Sequence, residues 1–155
     1  MFSSPKRKIE KYFRKNPQVK SIVVAGSYGR KSAIRALSAL LGEAYLVTMG
    51  VNKNVQPDVV VLDYGSMSDF PDIQPDLTIV TSCRSDDEAK QFFEVANKSR
   101  KVLVNFSDVP QEYAKYLTNP EIITYGDELP ADFYFENHDF TIAGYTGDIV
   151  NPERE

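Results

Sequence analysis

Short runs of branched apolar residues recur at positions 22–25, 44–48, 59–62, 77–81 and 102–105. They show little polar alternation, the pattern of strands covered on both faces of a parallel sheet. Between several of them the spacing turns helical. A helix over 31–41 would place Ile34, Leu37 and Leu41 on one side, with Gly42 closing it. A second over 86–97 would be capped by Ser85 and bury Ala89, Phe92, Phe93 and Ala96. A third, short one starts at Pro110 and uses Tyr113, Tyr116 and Leu117. This alternation predicts an α/β fold, a three-layer, doubly wound, mostly parallel sheet with right-handed crossovers. From Ile122 onward the texture changes. Strands at 122–125, 133–136 and 140–143, joined by turns at 126–127, 137–139 and 144–147, predict an antiparallel C-terminal extension.

At the other end, Ser4 as N-cap, Pro5 at the first helical position and an inward set of Ile9, Tyr12 and Phe13 predict an amphipathic helix that ends at Asn16-Pro17. The chain divides on this reading into a basic N-terminal helix at 1–17, one α/β domain at 18–147 and a polar tail at 148–155. Its 155 residues, 42% of them hydrophobic, suffice for one core and are too few for two large domains.

Charge changes the picture at the N-terminus. Lys6, Arg7, Lys8, Lys11, Arg14, Lys15 and Lys20 face only Glu10 within the first twenty residues, so the rest of the chain is more acidic than the overall net charge of -4 suggests. The simplest reading is a solvated helix face. An acidic body repels a polyanion, which argues against nucleic acid as a partner. No stretch reaches the roughly 18 apolar residues of a membrane span, and no signal-peptide pattern opens the sequence, so a cytoplasmic chain is expected. Cys83 and His138 are each the single residue of their type, which leaves neither a disulfide nor a zinc site of ordinary composition. His138 reads as a loop residue and Cys83 as a small buried thiol.

The first strand runs into Gly26-Ser27-Tyr28-Gly29-Arg30-Lys31-Ser32 and then a helix. That arrangement either cradles a phosphate on backbone N–H groups at a helix start or is an ordinary tight turn that uses glycine for its freedom. Three more polar groups stand at strand ends, where an α/β sheet forms its ligand crevice. Asp63 suits a hard cation such as Mg²⁺ or a turn cap. Thr81-Ser82, with Arg84, Asp86 and Asp87 beyond, either faces the crevice or caps the next helix. Asn105, with Ser107 and Asp108, carries the same two readings.

These residues together resemble the Mur ligase family. The loop with its preceding Val24-Ala25 is similar to that family's ATP loop, G-[ST]-x-G-K-[ST]-[ST]. Val61-Leu62-Asp63-Tyr64-Gly65 resembles the strand ending E-x-G, whose carboxylate ligates Mg²⁺. Ile79-Val80-Thr81-Ser82 is similar to the segment ending T-N, and the run 102–108 to V-x-N-x-D-D. Ile122-Ile123-Thr124-Tyr125-Gly126 with Ala131-Asp132 resembles the elements that follow. The order holds from about residue 20 to residue 145.

The resemblance implies a P-loop NTPase-like fold, the central ATP-binding domain of amide-forming ligases of peptidoglycan precursor synthesis, or of a relative such as folylpolyglutamate synthase. It implies ATP and Mg²⁺ as cofactors. Gly26, Ser27, Tyr28, Gly29, Arg30, Lys31 and Ser32 would meet phosphate, Asn105 and Asp108 the base or ribose, and Asp63 with Ser32 the metal. No catalytic residue is assigned. The departures from the pattern are specific. With the glycines aligned without a gap, Arg30 takes the place of the phosphate lysine and Lys31 that of the metal-binding hydroxyl, leaving Ser32 one residue late; a shift of one restores a Lys31-Ser32 pair but stretches the turn. The family's His after T-N falls near Asp87, and the stretch bearing its Mg-supporting lysine is compressed, with Lys90 nearest.

Three outcomes follow from this pattern. The chain is an ATP-binding domain with weak or absent ligase activity, a non-catalytic module that keeps the fold for a protein partner, or part of a longer ligase whose other domains lie elsewhere.

Overall fold

The structure, a computed structural model, describes residues 5–65, 70–119, 121–127, 131–141 and 144–152, and at 135–141 and 144–147 the backbone path alone. Eight strands form a single sheet in the order β2-β3-β1-β4-β5-β6-β7-β8. They are β1 Lys20–Ala25, β2 Val47–Met49, β3 Val59–Tyr64, β4 Leu77–Val80, β5 Lys101–Asn105, β6 Ile122–Gly126, β7 Phe133–Thr141 and β8 Gly144–Val150. Every pairing from β2 through β7 is parallel. β1 lies between β3 and β4, so the chain leaves it toward one side of the sheet and later returns to the other. Such a switch of direction opens a crevice at the carboxyl ends of the strands.

The apolar runs explain the layers. Val23, Ala25, Val60, Leu62, Val80, Val102 and Val104 face α1 (Pro5–Lys15) and α3 (Asp86–Lys98), where Tyr12, Phe92 and Phe93 complete a buried cluster. Ile22, Val24, Val59, Val61 and Ile79 alternate to the opposite face and meet Ile34, Leu37 and Leu41 of α2 (Arg30–Gly42). Because successive side chains of a strand point to opposite faces, a continuous apolar run serves both cores at once. The expected stripe of α3, Ala89, Phe92, Phe93 and Ala96, is buried, and the side chain of Ser85 caps the helix by accepting from the Glu88 N–H at 3.3 Å.

Other expectations are corrected. The segment after Pro110 makes a single 3₁₀ helix, Gln111–Tyr116, and not an α-helix. β6 is parallel to β5, and β7 joins β6 in parallel, so the antiparallel part shrinks to the β7–β8 pair. The turn expected at 137–139 falls inside β7, where pairing with β8 shifts register between Glu136 and Asp139. One long irregular strand thus replaces two short ones, a way to absorb extra residues without ending the ladder. His138 accordingly lies on a strand. The turn expected at 144–147 is also strand, and β8 takes the first residues of the supposed polar tail as far as Val150. Ser4, residues 142–143 and the last three tail residues lie outside the described residues.

Candidate functional site

The end of β1 turns sharply at Gly26, whose φ of 146° few other residues adopt. A β-carbon there would stand 2.2 Å from Thr81 Oγ1, so glycine also lets β1 and the residues after β4 close together. Thr81 and Ser82 use that proximity. The Thr81 hydroxyl donates to the Tyr28 carbonyl at 2.5 Å, while Ser82 Oγ accepts from the Tyr28 N–H at 2.9 Å and its carbonyl accepts from the Ser27 N–H at 3.2 Å. Both side chains are buried. They fix the loop's shape from beneath. Gly29, with φ of 79°, then starts α2, whose first N–H groups have no carbonyl one turn back within the helix.

Arg30 folds back over this loop. Its Nε donates to Asp63 Oδ1 at 2.7 Å and its Nη1 to the Gly26 carbonyl. A side chain at Gly65 would come within 2.9 Å of the guanidinium, so the glycine after β3 leaves the room that Arg30 occupies. The cation from α2 and the carboxylate from β3 are therefore each other's partners. Lys31 and Ser32 are exposed in the first turn of α2. Lys31 lines a separate cavity of about 550 Å³, walled by Ile34, Val61 and Phe70, that Asp63 also borders.

One carboxylate at the loop escaped the sequence reading. Glu88 Oε2 accepts from Ser27 Oγ at 2.5 Å and from the Arg84 N–H at 3.0 Å. The Ser27 hydroxyl, then the Arg84 N–H and the charges of Arg84 and Arg30, hold its carboxyl below the usual range against the opposing effect of burial. Its signal was hidden because Ser85-x-x-Glu88 carries the spacing of a capping box, which accounts for a glutamate locally.

Tyr28 links the loop to the end of β5. Its hydroxyl donates to Asp108 Oδ1 at 2.8 Å, which pushes its ionisation upward, and the Arg84 guanidinium lies 5.1 Å from its ring centre. Asp108 in turn accepts from Asn105 Nδ2 at 2.9 Å, and Asn105 Oδ1 accepts from the Ser107 N–H at 3.1 Å. Of the residues singled out in the sequence, Gly26 to Arg30, Asp63, Asn105 and Asp108 thus converge on one end of the sheet. Lys31 and Ser32 make none of these contacts. Cys83, next to Ser82, is buried, and burial together with Glu88 pushes its thiol up to about 12.

The donor set fits a magnesium ion poorly. Asp63 is engaged by the Arg30 guanidinium, and Ser32, the hydroxyl expected beside it, lies exposed in the first turn of α2 next to the Lys31 ammonium. Among the described residues no group of three or more His, Cys, Asp or Glu side chains could hold a metal ion.

Solved structures resemble this fold over nearly its whole length. MurF from Acinetobacter baumannii superposes with a TM-score of 0.77 at 14% identity, covering 96% of this chain and 39% of that one. Folylpolyglutamate synthetase from Lactobacillus casei gives 0.73 at 13%, covering 99% and 56%. MurF ligase from Thermotoga maritima in complex with ADP gives 0.70 at 16%, covering 96% and 43%. No family model matches the sequence, and no curated protein matches it. The architecture is that of the central α/β domain of Mur ligases, as the resemblance in the sequence implies, and at these identities the likeness is one of fold. The chain spans about half or less of the length of these enzymes.

Proposed function

We propose that this chain is a Mur ligase-like nucleotide-binding domain, related to ATP-dependent amide-forming ligases, that takes ATP weakly and does not turn it over by itself. The reading rests on the contact between Arg30 and Asp63 at 2.7 Å. In the resemblance these are the phosphate cation and the metal carboxylate, and here they neutralise one another. To meet a phosphate, Arg30 would use the donors that Asp63 and the Gly26 carbonyl leave over, or give up Asp63. Its planar fork also differs from a compact ammonium, so phosphate contacts would be made at other angles. The backbone of residues 26–32 would hold phosphate, with Asn105 and Asp108 toward the base or ribose. Bound nucleotide would supply a transferable phosphoryl group, but that transfer depends on a well-placed metal, and the residues present do not fit one.

The fold and the place of the loop at the strand ends support a nucleotide, as does the ADP named with the Thermotoga enzyme. Calorimetry with ATP and with a non-hydrolysable analogue, each with and without Mg²⁺, tests the proposal. Binding in about the millimolar range that Mg²⁺ leaves unchanged is the expected result. Tight, Mg²⁺-dependent binding or release of ADP would overturn it.

A second reading is favoured by Glu88, whose carboxylate already takes the hydroxyl of Ser27 and would repel a phosphate beside it. On that reading the domain is a non-catalytic module for a protein partner, either the remaining domains of a ligase or another chain. Absence of any thermal shift at millimolar ATP, together with a discrete complex in light scattering or a pull-down, would select it over the first.

A further inference from the structure

At the opposite end of the sheet from the loop, a groove of about 1410 Å³ runs between α1, the segment 51–56 and the segment 72–76. Arg7, Lys8, Lys11, Arg14 and Lys15 line it from α1, all exposed. Arg7, Lys11 and Arg14 follow at i, i+4 and i+7, and Lys8 and Lys15 repeat seven apart, which stacks positive charge along one side of the helix. The tertiary structure brings Lys20, Lys53 and Arg100 to the same groove from three other parts of the chain. Three carboxylates oppose them. Asp76 is shared by Lys20 at 3.3 Å and Arg100 at 3.6 Å, while Glu10 accepts the N–H of Asp72 at 3.0 Å. Lys8, Lys11, Arg14, Lys15 and Lys53 have no ion-pair partner among the described residues.

The floor has a different character. Phe13, Val51, Val55 and Ile73 are half-buried in it, and the amides of Asn54, Gln56 and Gln74 are exposed beside them. A lipid surface is a poor match, because Ile9, Tyr12 and Phe13, the apolar side of α1, pack against the protein core and none of the three is fully exposed for insertion. Polyglutamate or a bare polyphosphate, which carry charge without apolar faces, would rely on the cationic walls. We propose that this groove binds single-stranded nucleic acid, with its cations on successive phosphates and its amides and apolar floor against the bases. The acidic body of the chain argued against such a partner from the sequence; the fold gathers Lys20, Lys53 and Arg100 with the helix cations, so the charge this groove presents is positive. The fold places the basic groove and the phosphate-type loop at opposite ends of the sheet, so this inference stands apart from the nucleotide reading.

Fluorescence anisotropy of a labelled single-stranded oligonucleotide with the full chain tests it. Binding at low salt is expected, with log affinity falling against log salt at a slope of about −3, as four or five phosphate contacts imply. The variant carrying Lys8→Gln, Lys11→Gln, Lys15→Gln and Lys53→Gln should bind at least about 100-fold more weakly with a flatter salt dependence. Its melting temperature should stay close to that of the parent, because all four side chains are exposed. No binding at low salt would overturn the proposal, as would unchanged affinity in the variant. Polyglutamate, polyphosphate or anionic vesicles bound as tightly as the oligonucleotide would overturn it equally.

Discussion

Arg30 Nε donates to Asp63 Oδ1 across 2.7 Å, joining the first residue of α2 to the penultimate residue of β3. The aspartate side chain is 44% exposed, so solvent screens much of the attraction. A double-mutant cycle with Arg30→Ala and Asp63→Ala, followed by urea unfolding, should return a coupling of about 0.5 to 1 kcal/mol. A coupling of zero would mean that the two groups do not hold one another in solution.

Gly26 and Gly50 offer a matched comparison of backbone and packing. Both have positive φ, but a β-carbon at Gly26 would meet Thr81 Oγ1 at 2.2 Å, whereas one at Gly50 would meet nothing within 4 Å. Gly50→Ala should cost about 1 kcal/mol from its backbone alone. Gly26→Ala should cost about 2 to 4 kcal/mol, because strain and overpacking add. Equal losses in chemical unfolding would count against the close approach of β1 to the residues after β4.

Glu88 predicts a pH dependence of definite sign. Its folded-state carboxyl is depressed, chiefly by the Ser27 hydroxyl, so its stabilising contribution is complete above the unfolded carboxylate value, about 4.3. That contribution is lost as pH falls through the lower folded value. Melting temperatures of the parent and of Glu88→Gln should therefore differ most near neutrality and converge below about pH 4. A difference that stays constant across this window would rule out an ionic role for Glu88.

Cys83 should resist alkylation in the native state. It is buried, and its thiol is pushed up to about 12 by burial and by Glu88, so little thiolate exists at pH 8. Iodoacetamide should modify it only at the rate of unfolding, and modification should accelerate in denaturant. Rapid labelling without denaturant would refute this.

Tyr12 carries a buried hydroxyl without a hydrogen-bond partner among the described residues. Removing the oxygen leaves the ring packing intact and relieves that desolvation. Tyr12→Phe should be neutral or stabilise by up to about 1 kcal/mol in thermal unfolding. A loss of more than that would reveal a partner for the hydroxyl.

Much of the fold was legible because it depends on local pattern. The branched runs at 22–25 and 59–62 became central strands, and the apolar spacing around Phe92 and Phe93 became the buried face of α3. The C-terminal strands were misread because a register shift inside β7 resembles a turn when only composition is visible. Likewise Gly26, Asp63 and Asn105 could be placed at strand ends from their sequence neighbours. What each of them touches could not.

The sequence by itself determined where the central strands and the two long helices that follow them lie, that a glycine loop follows the first strand, and that positive charge gathers in the first twenty residues. Those are properties of neighbours along the chain, governed by side-chain periodicity and backbone preference. Only the tertiary structure decided that Arg30 meets Asp63 33 positions away, that Ser27 meets Glu88 61 away, and that Tyr28 meets Asp108 80 away. It also decided that Lys53 and Arg100 join the helix cations around one groove. Such meetings follow from the order β2-β3-β1-β4-β5 in the sheet, because strand order brings together carboxyl ends that the sequence keeps far apart.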